Sequence, residues 1–212
     1  MMKAVIVCNG SVKDYNVIRP FFENAGYIIS VDGGAGHLRK LGIIPDVLLG
    51  DFDSANKEDI EYFQTRGIKA EQFPVEKDMT DSELAIERAV EKGADEIVFI
   101  GAMGSRVDHS MANIFLLKKL LDQKVKACIA DEHNRVYMFD KTFSMPRVEG
   151  YKLSLIPVTE EVTGVTTKGL KYPLNNATMH LGTSWGVSNE FYEDIAGVTI
   201  GSGTLLVCLS RD

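Results

Sequence analysis

The feature that most limits how this chain can fold is a change of texture near Asp131. Before it, short apolar runs alternate with longer segments of helical periodicity, the pattern of stacked βα units. Ala4–Cys8, Tyr27–Val31, Val47–Leu49, Ala70–Phe73, Glu96–Ile100 and Val125–Ile129 read as short strands of the kind buried on both faces in a parallel sheet. Helices are expected around Asp14–Asn24, Ala35–Leu41, Lys57–Arg66, Asp81–Glu91 and Val107–Leu121. Thr80-Asp81-Ser82-Glu83 has capping-box spacing, so Thr80 should cap the fourth. After Asp131 the helical period fades. β-branched and aromatic runs appear instead, as at Tyr151–Ile156, Val162–Thr167, Gly197–Ile200 and Thr204–Leu209. Gly201-Ser202-Gly203 between the last two suggests a hairpin turn. The fold class is therefore α/β plus all-β. A mainly parallel α/β domain over residues 1–135 precedes a small antiparallel, β-sandwich-like domain over 136–212.

The chain has 212 residues and a net charge of −7, with no block of Lys and Arg. That argues against a general nucleic-acid binder. No apolar run is long enough to cross a bilayer, and Asn9-Gly10 interrupts the first apolar stretch too early for a signal peptide. Cys8, Cys128 and Cys208 are odd in number, far apart and each in an apolar run. Buried thiols in a reducing cytoplasm fit them better than disulfides or a metal site.

The residues suited to chemistry gather where strands hand over to helices. Gly50-Asp51-Phe52-Asp53-Ser54 follows an apolar strand. If the chain stays extended, Asp51 and Asp53 aim to the same side. Two such carboxylates suit a hard cation carrying a polyphosphate; a polar turn is the competing reading. Asp32-Gly33-Gly34-Ala35-Gly36-His37 opens a helix where anions are favoured, although Arg39 stands where a dinucleotide fingerprint needs its third glycine. Lys77-Asp78-Met79-Thr80-Asp81 lies at a third handover. A parallel sheet puts all its handovers on one edge, so Asp32, Asp51, Asp53, Asp78 and Asp81 should converge there. Such a cluster repels itself without a cation.

Gly104-Ser105-Arg106-Val107-Asp108-His109 forms a further handover. Ser105 is spaced to cap the helix, with Asp108 three residues on. Arg106 is placed to meet phosphate oxygens, a solvated arginine being the alternative. His109 reads as a local hydrogen-bonding residue. In the second half, the single Trp185 lies among Ser184, Gly186, Ser188 and Asn189 rather than in an apolar run. That placement suits a ring offered to a flat or cationic ligand.

Taken together, these five segments in this order resemble the thiamine pyrophosphokinase family, and the resemblance covers nearly the whole chain. Lys77 is a departure, since some relatives carry Gln there. The resemblance implies transfer of the terminal diphosphate of ATP to the hydroxyl of thiamine, giving thiamine diphosphate and AMP with Mg²⁺ as cofactor. It implies a homodimer, with the active site near the junction of both domains and the partner subunit. Asp51, Asp53 and Asp81 are then the metal ligands, Arg106 the phosphate clamp and Asp78 a candidate acceptor of the hydroxyl proton. Asp32, Gly33, Gly34, Lys77, Asp108 and His109 join Arg106 on the ATP side, and Ser184, Trp185, Ser188 and Asn189 form the thiamine pocket. The competing classes are a Mg²⁺-dependent phosphohydrolase, suggested by Asp108-His109, and a non-catalytic nucleotide- or thiamine-binding module.

Overall fold

The computed structural model describes residues 1–53, 55–73 and 78–212. The chain divides into two compact units, Met1–Glu132 and His133–Asp212.

The first unit alternates strands and helices: β1 (Lys3–Val7), α1 (Tyr15–Ile18), β2 (Ala25–Val31), α2 (Gly34–Leu41), β3 (Val47–Gly50), α3 (Lys57–Gln64), β4 (Lys69–Gln72), α4 (Asp81–Glu91), β5 (Glu96–Ile100), α5 (Val107–Asp122) and β6 (Lys126–Ala130). The six strands are parallel in the order β4-β3-β2-β1-β5-β6. The apolar runs become the buried strands because both faces are covered. Val5, Ile6 and Val7 of β1 are fully buried, as are Ile97 and Ile100 of β5. β4 departs from that expectation. It is an edge strand with Lys69 and Gln72 exposed, and Glu71 pairs with Lys69 and Arg88. Charge on an edge discourages pairing with another chain.

Local chemistry sets the helix starts. Thr80 Oγ1 accepts the Glu83 amide at 3.3 Å and opens α4, and Asn56 Oδ1 accepts that of Glu58 at 2.9 Å before α3. The expected helix over 14–24 is shorter. Asp14 caps four helical residues, and Pro20 then turns the chain into a 3₁₀ turn over Arg19–Phe22. Proline lacks the amide that would continue an α-helix.

The second unit has β7 (Asn134–Phe139), β8 (Thr142–Pro146), β9 (Lys152–Pro157), β10 (Glu161–Lys168), β11 (Ala177–His180), β12 (Ile195–Thr199) and β13 (Leu205–Ser210). β7-β13-β9 and β11-β10-β12-β8 are antiparallel sets. Leu153, Leu155, Leu205 and Val207 from one set pack with Val162, Val165, Met179 and Val198 from the other in a shared core. The expected β12–β13 hairpin does not form. β12 pairs with β8 and β10, whereas β13 pairs with β7 and β9. Gly201-Ser202-Gly203 instead carries the chain between the sets. It is held to β10, with the Gly201 amide 2.8 Å from the Thr163 carbonyl.

Candidate active site

The strand order of the first unit reverses at β1, whose successors β2 and β5 flank it. Loops that leave the two strands diverge there, opening a crevice at the C-terminal edge. A cavity of about 890 Å³ lies at this edge, within the size range of small-molecule sites. Its wall is assembled from five strand-to-helix handovers. Asn9, Gly10 and Ser11 follow β1, and Asp32 follows β2. Asp51 follows β3, Asp78–Ser82 precede and open α4, and Gly101–Arg106 follow β5. Asp108, His109 and Asn113 of α5 complete it.

Of the residues singled out in the sequence, the cavity brings together Asp32, Asp51, Asp78, Asp81, Arg106, Asp108 and His109. Gly33 caps α2 and Gly34 begins it, and neither lines the cavity. Lys77 and Ser54 lie outside the described residues.

The geometry of Asp51 and Asp53 differs from the extended arrangement. The strand ends at Gly50, and Phe52 has φ 62°. Asp51 Oδ1 accepts the Asp53 amide at 2.9 Å, and Asp32 Oδ1 accepts the Phe52 amide at 3.3 Å. Two carboxylates thus fold one turn, and the two-residue period lapses where the backbone stops being extended. Asp53 is exposed and is not among the lining residues. Gly50 makes the turn possible: its φ is 146°, and a Cβ there would stand 1.9 Å from Asp32 Oδ1.

Arg106, rather than Ser105, is the N-cap of α5, with no side-chain cap bond. Its guanidinium meets Asp108 instead, Nη2 to Oδ2 at 2.5 Å and Nε to Oδ1 at 3.2 Å. That bond holds the Asp108 carboxyl down at about 2. Both side chains are about two-thirds exposed, and such a pair is worth little in water. A phosphate could take the guanidinium at small cost. Cys8, at the cavity floor, is pushed up to about 11 by burial, so it stays a thiol and not a nucleophile.

Among the described residues, no group of three or more His, Cys, Asp or Glu side chains is arranged to enclose a metal. Mg²⁺ needs no such cage. It keeps waters and takes one or two carboxylates together with substrate phosphates. The open wall of carboxylates fits that mode.

Sequence reasoning missed Asn9–Ser11, Ser110 and Asn113. Asn9-Gly10 follows an apolar strand as Asp32 and Asp51 do, so the same handover rule finds it.

In the second unit, Trp185 is 60% exposed on the segment between β11 and β12. The segment is stapled to β9. The Leu155 amide meets the Gly186 carbonyl at 2.9 Å, the Ser188 amide meets Ser154 Oγ at 2.9 Å, and Leu153 and Asn189 bridge. Asn189 was expected to offer its amide to a ligand. Its Oδ1 accepts the Tyr172 amide at 3.1 Å and its Nδ2 donates to the Tyr172 carbonyl at 2.7 Å, so it holds the loop.

Residues 18–129 match the family model of the thiamin pyrophosphokinase catalytic domain. Residues 140–206 match that of its vitamin B1 binding domain. The chain belongs to the thiamine pyrophosphokinase family. It is similar to the thiamine pyrophosphokinase of Bacillus subtilis (strain 168), with 34% identity over 186 residues, 87% of each chain. The crystal structure of thiamine pyrophosphokinase from Bacillus subtilis superposes with a TM-score of 0.91 at 30% identity, covering 99% of both chains. That from Geobacillus thermodenitrificans gives 0.86 at 32% identity, covering 100% of this chain and 98% of the other. Membership makes the chain an enzyme, a thiamine diphosphokinase, and assigns the cavity to the catalytic half of the family and the Trp185 loop to the other.

Proposed function

We propose that the cavity binds ATP and that the enzyme transfers its terminal diphosphate to the hydroxyl of thiamine, releasing AMP. The observation that carries this reading is the convergence of Asp32, Asp51, Asp78 and Asp81 with Arg106 around one cavity. Four carboxylates repel a bare polyphosphate, so the arrangement makes sense with a divalent cation between them. Bound Mg²⁺ would lower both the repulsion met by the attacking oxygen and the charge on the departing AMP. We assign Asp51 and Asp81 to hold it, with Asp53 in the adjoining turn.

Arg106 forks its donors onto phosphate oxygens once they displace Asp108. Asp32, Gly33, Gly34, Asp108 and His109 flank the nucleotide, with Lys77 as a further phosphate contact. The thiamine oxygen bonds to the β-phosphorus while the bond from that phosphorus to the AMP oxygen breaks. The hydroxyl proton passes to a carboxylate, for which we assign Asp78. A loose transition state asks little of that base. Trp185 stacks on the thiamine rings with Ser184 and Ser188 at their polar edges, and Asn189 acts through the loop it holds. We further infer a homodimer in a reducing cytoplasm, where the buried thiol of Cys8 and the partly buried thiol of Cys208, both raised to about 11, persist.

Incubation with ATP, Mg²⁺ and thiamine tests the reading. Equal amounts of AMP and thiamine diphosphate support it. Inorganic phosphate released without thiamine would assign the cavity to hydrolysis, and binding without turnover would make it a ligand-binding module.

A further inference from the structure

We propose that His37 and Tyr15 are positioning residues for the nucleotide: they hold the Gly10 carbonyl and so fix the β1 wall of the cavity. This inference rests on the reading that the cavity takes ATP.

His37 projects from α2 and is partly buried. Its Nε2 lies 2.8 Å from the Gly10 carbonyl oxygen, and its Nδ1 lies 2.8 Å from the Tyr15 hydroxyl. A carbonyl oxygen only accepts, so Nε2 carries the proton. Burial lowers the tendency of the ring to take a second proton. The Gly10 bond opposes that, Lys40 reinforces it and Glu132 opposes it. In the neutral ring Nδ1 is an acceptor, and the Tyr15 hydroxyl donates to it. The result is a relay of one polarity, from the Tyr15 hydroxyl through the imidazole to Gly10.

What the relay holds is a closely packed peptide with no space for a side chain. The Gly10 amide donates to the Gly101 carbonyl at 2.6 Å. A Cβ on Gly10 would stand 2.2 Å from the Met103 carbonyl oxygen and 2.3 Å from that of Gly101. Gly10 is therefore gripped by the β5 loop through its amide and by His37 through its carbonyl. The β5 loop has a grip of its own. Asn113 of α5 donates to the Ala102 carbonyl at 2.7 Å, and Ser110 Oγ receives the Gly104 amide at 3.1 Å. Each side of the switch point thus receives a side-chain tie from one helix. Asn9, Gly10 and Ser11 all line the cavity. Without His37 the Gly10 carbonyl loses its side-chain tie, and the wall that a nucleotide meets widens its range of positions.

The test is calorimetric titration of Mg²⁺–ATP, without thiamine, into the full-length wild type and its His37→Phe, His37→Gln and Tyr15→Phe variants. His37→Phe should raise the ATP Kd roughly threefold to tenfold, the effect of one lost hydrogen bond. A separate titration with thiamine should give an unchanged Kd. His37→Gln should recover most of the affinity, because its amide N–H can still donate to Gly10. Tyr15→Phe should fall between them, and it carries the test should His37→Phe not fold. Nitrogen-15 correlation spectra should show the Nε2–H tautomer for the ring lost in His37→Gln. ATP affinity equal to the wild type alongside a lowered Tm would make His37 purely structural and overturn the inference, as would an Nδ1–H tautomer. A wild type that binds no ATP would instead remove the reading of the cavity beneath it.

Discussion

The cavity and the Trp185 loop expose their functional groups by different routes. In the α/β unit, Asp32, Asp51 and Asp81 sit at the ends of buried strands or the start of a helix, and the loops between them are zipped together below. The Asp32 amide bonds to the Leu49 carbonyl at 3.0 Å, and that of Phe73 to Gly50 at 3.1 Å. Many acidic groups share one space there. In the β unit, the Trp185 ring stands out from a loop whose neighbours are stapled down, Glu190 lying between Lys152 and Lys171 at 2.7 and 3.0 Å. Under the proposed function the cavity would distribute its work over several charges held by a sheet, whereas the loop would concentrate it in the Trp185 ring. Replacing one acid by its amide should alter charge while leaving an oxygen to hold the turn, and removing the ring should take away a binding surface outright.

The largest effect is expected at Asp51. Asp51→Asn should lower kcat/KM by on the order of a hundredfold, the usual loss when one group stabilising transition-state charge is removed. Asp53→Asn should cost clearly less, since Asp53 does not line the cavity. Equal losses would show that Asp53 turns inward when the substrates bind. Gly50→Ala tests the support beneath. A forced left-handed φ and a collision with Asp32 should destabilise the fold by about 2 kcal/mol, read as a lowered Tm, with loss of activity. Trp185→Ala should raise the thiamine KM roughly fivefold to tenfold, the range of one lost aromatic contact, with ATP KM and Tm unchanged. An ATP-selective loss would move the loop out of the thiamine site.

The smallest effect is electrostatic. Lys152 and then Lys171 hold the Glu190 carboxyl at about 2, below its ordinary 4.5. A depressed carboxyl contributes fully above its unfolded value and loses that contribution as pH falls through the folded one. The emission of Trp185, the single tryptophan, should therefore shift between pH 4.5 and about 2. In Glu190→Gln the emission should stay flat over that window. A matching shift in the variant would tie it to general acid unfolding.

The α/β unit was readable because buried parallel strands are short apolar runs punctuated by Gly and Asp, and because topology alone puts their ends on one edge. The aspartates at that edge followed from this rule without any knowledge of side-chain direction. The Asp51–Asp53 geometry did not, because it depends on a carboxylate from another strand, Asp32, folding the turn. The Arg106–Asp108 pair is likewise a choice between caps that spacing leaves open. In the β unit the strands left polar and apolar signals, but pairing did not. Gly201-Ser202-Gly203 has hairpin composition, and only the hold of Thr163 on Gly201 shows that it changes sheets instead. Asn189 is legible in the sequence as a polar neighbour of Trp185, yet its partner Tyr172 is 17 residues away.

The position of β13 bears on the order of assembly. It lies between β7 and β9 and pairs with each over a run of six residues, and its Leu205, Val207 and Leu209 are fully buried. Both strands are synthesised well before the segment that unites them. On the ribosome, where chains grow by roughly 5–20 residues per second, that leaves an interval of seconds in which β7 and β9 present open edges while the α/β strands already have their partners. Sequence changes in β13 should therefore show themselves first as poor yield during synthesis, before any measurement on the finished enzyme.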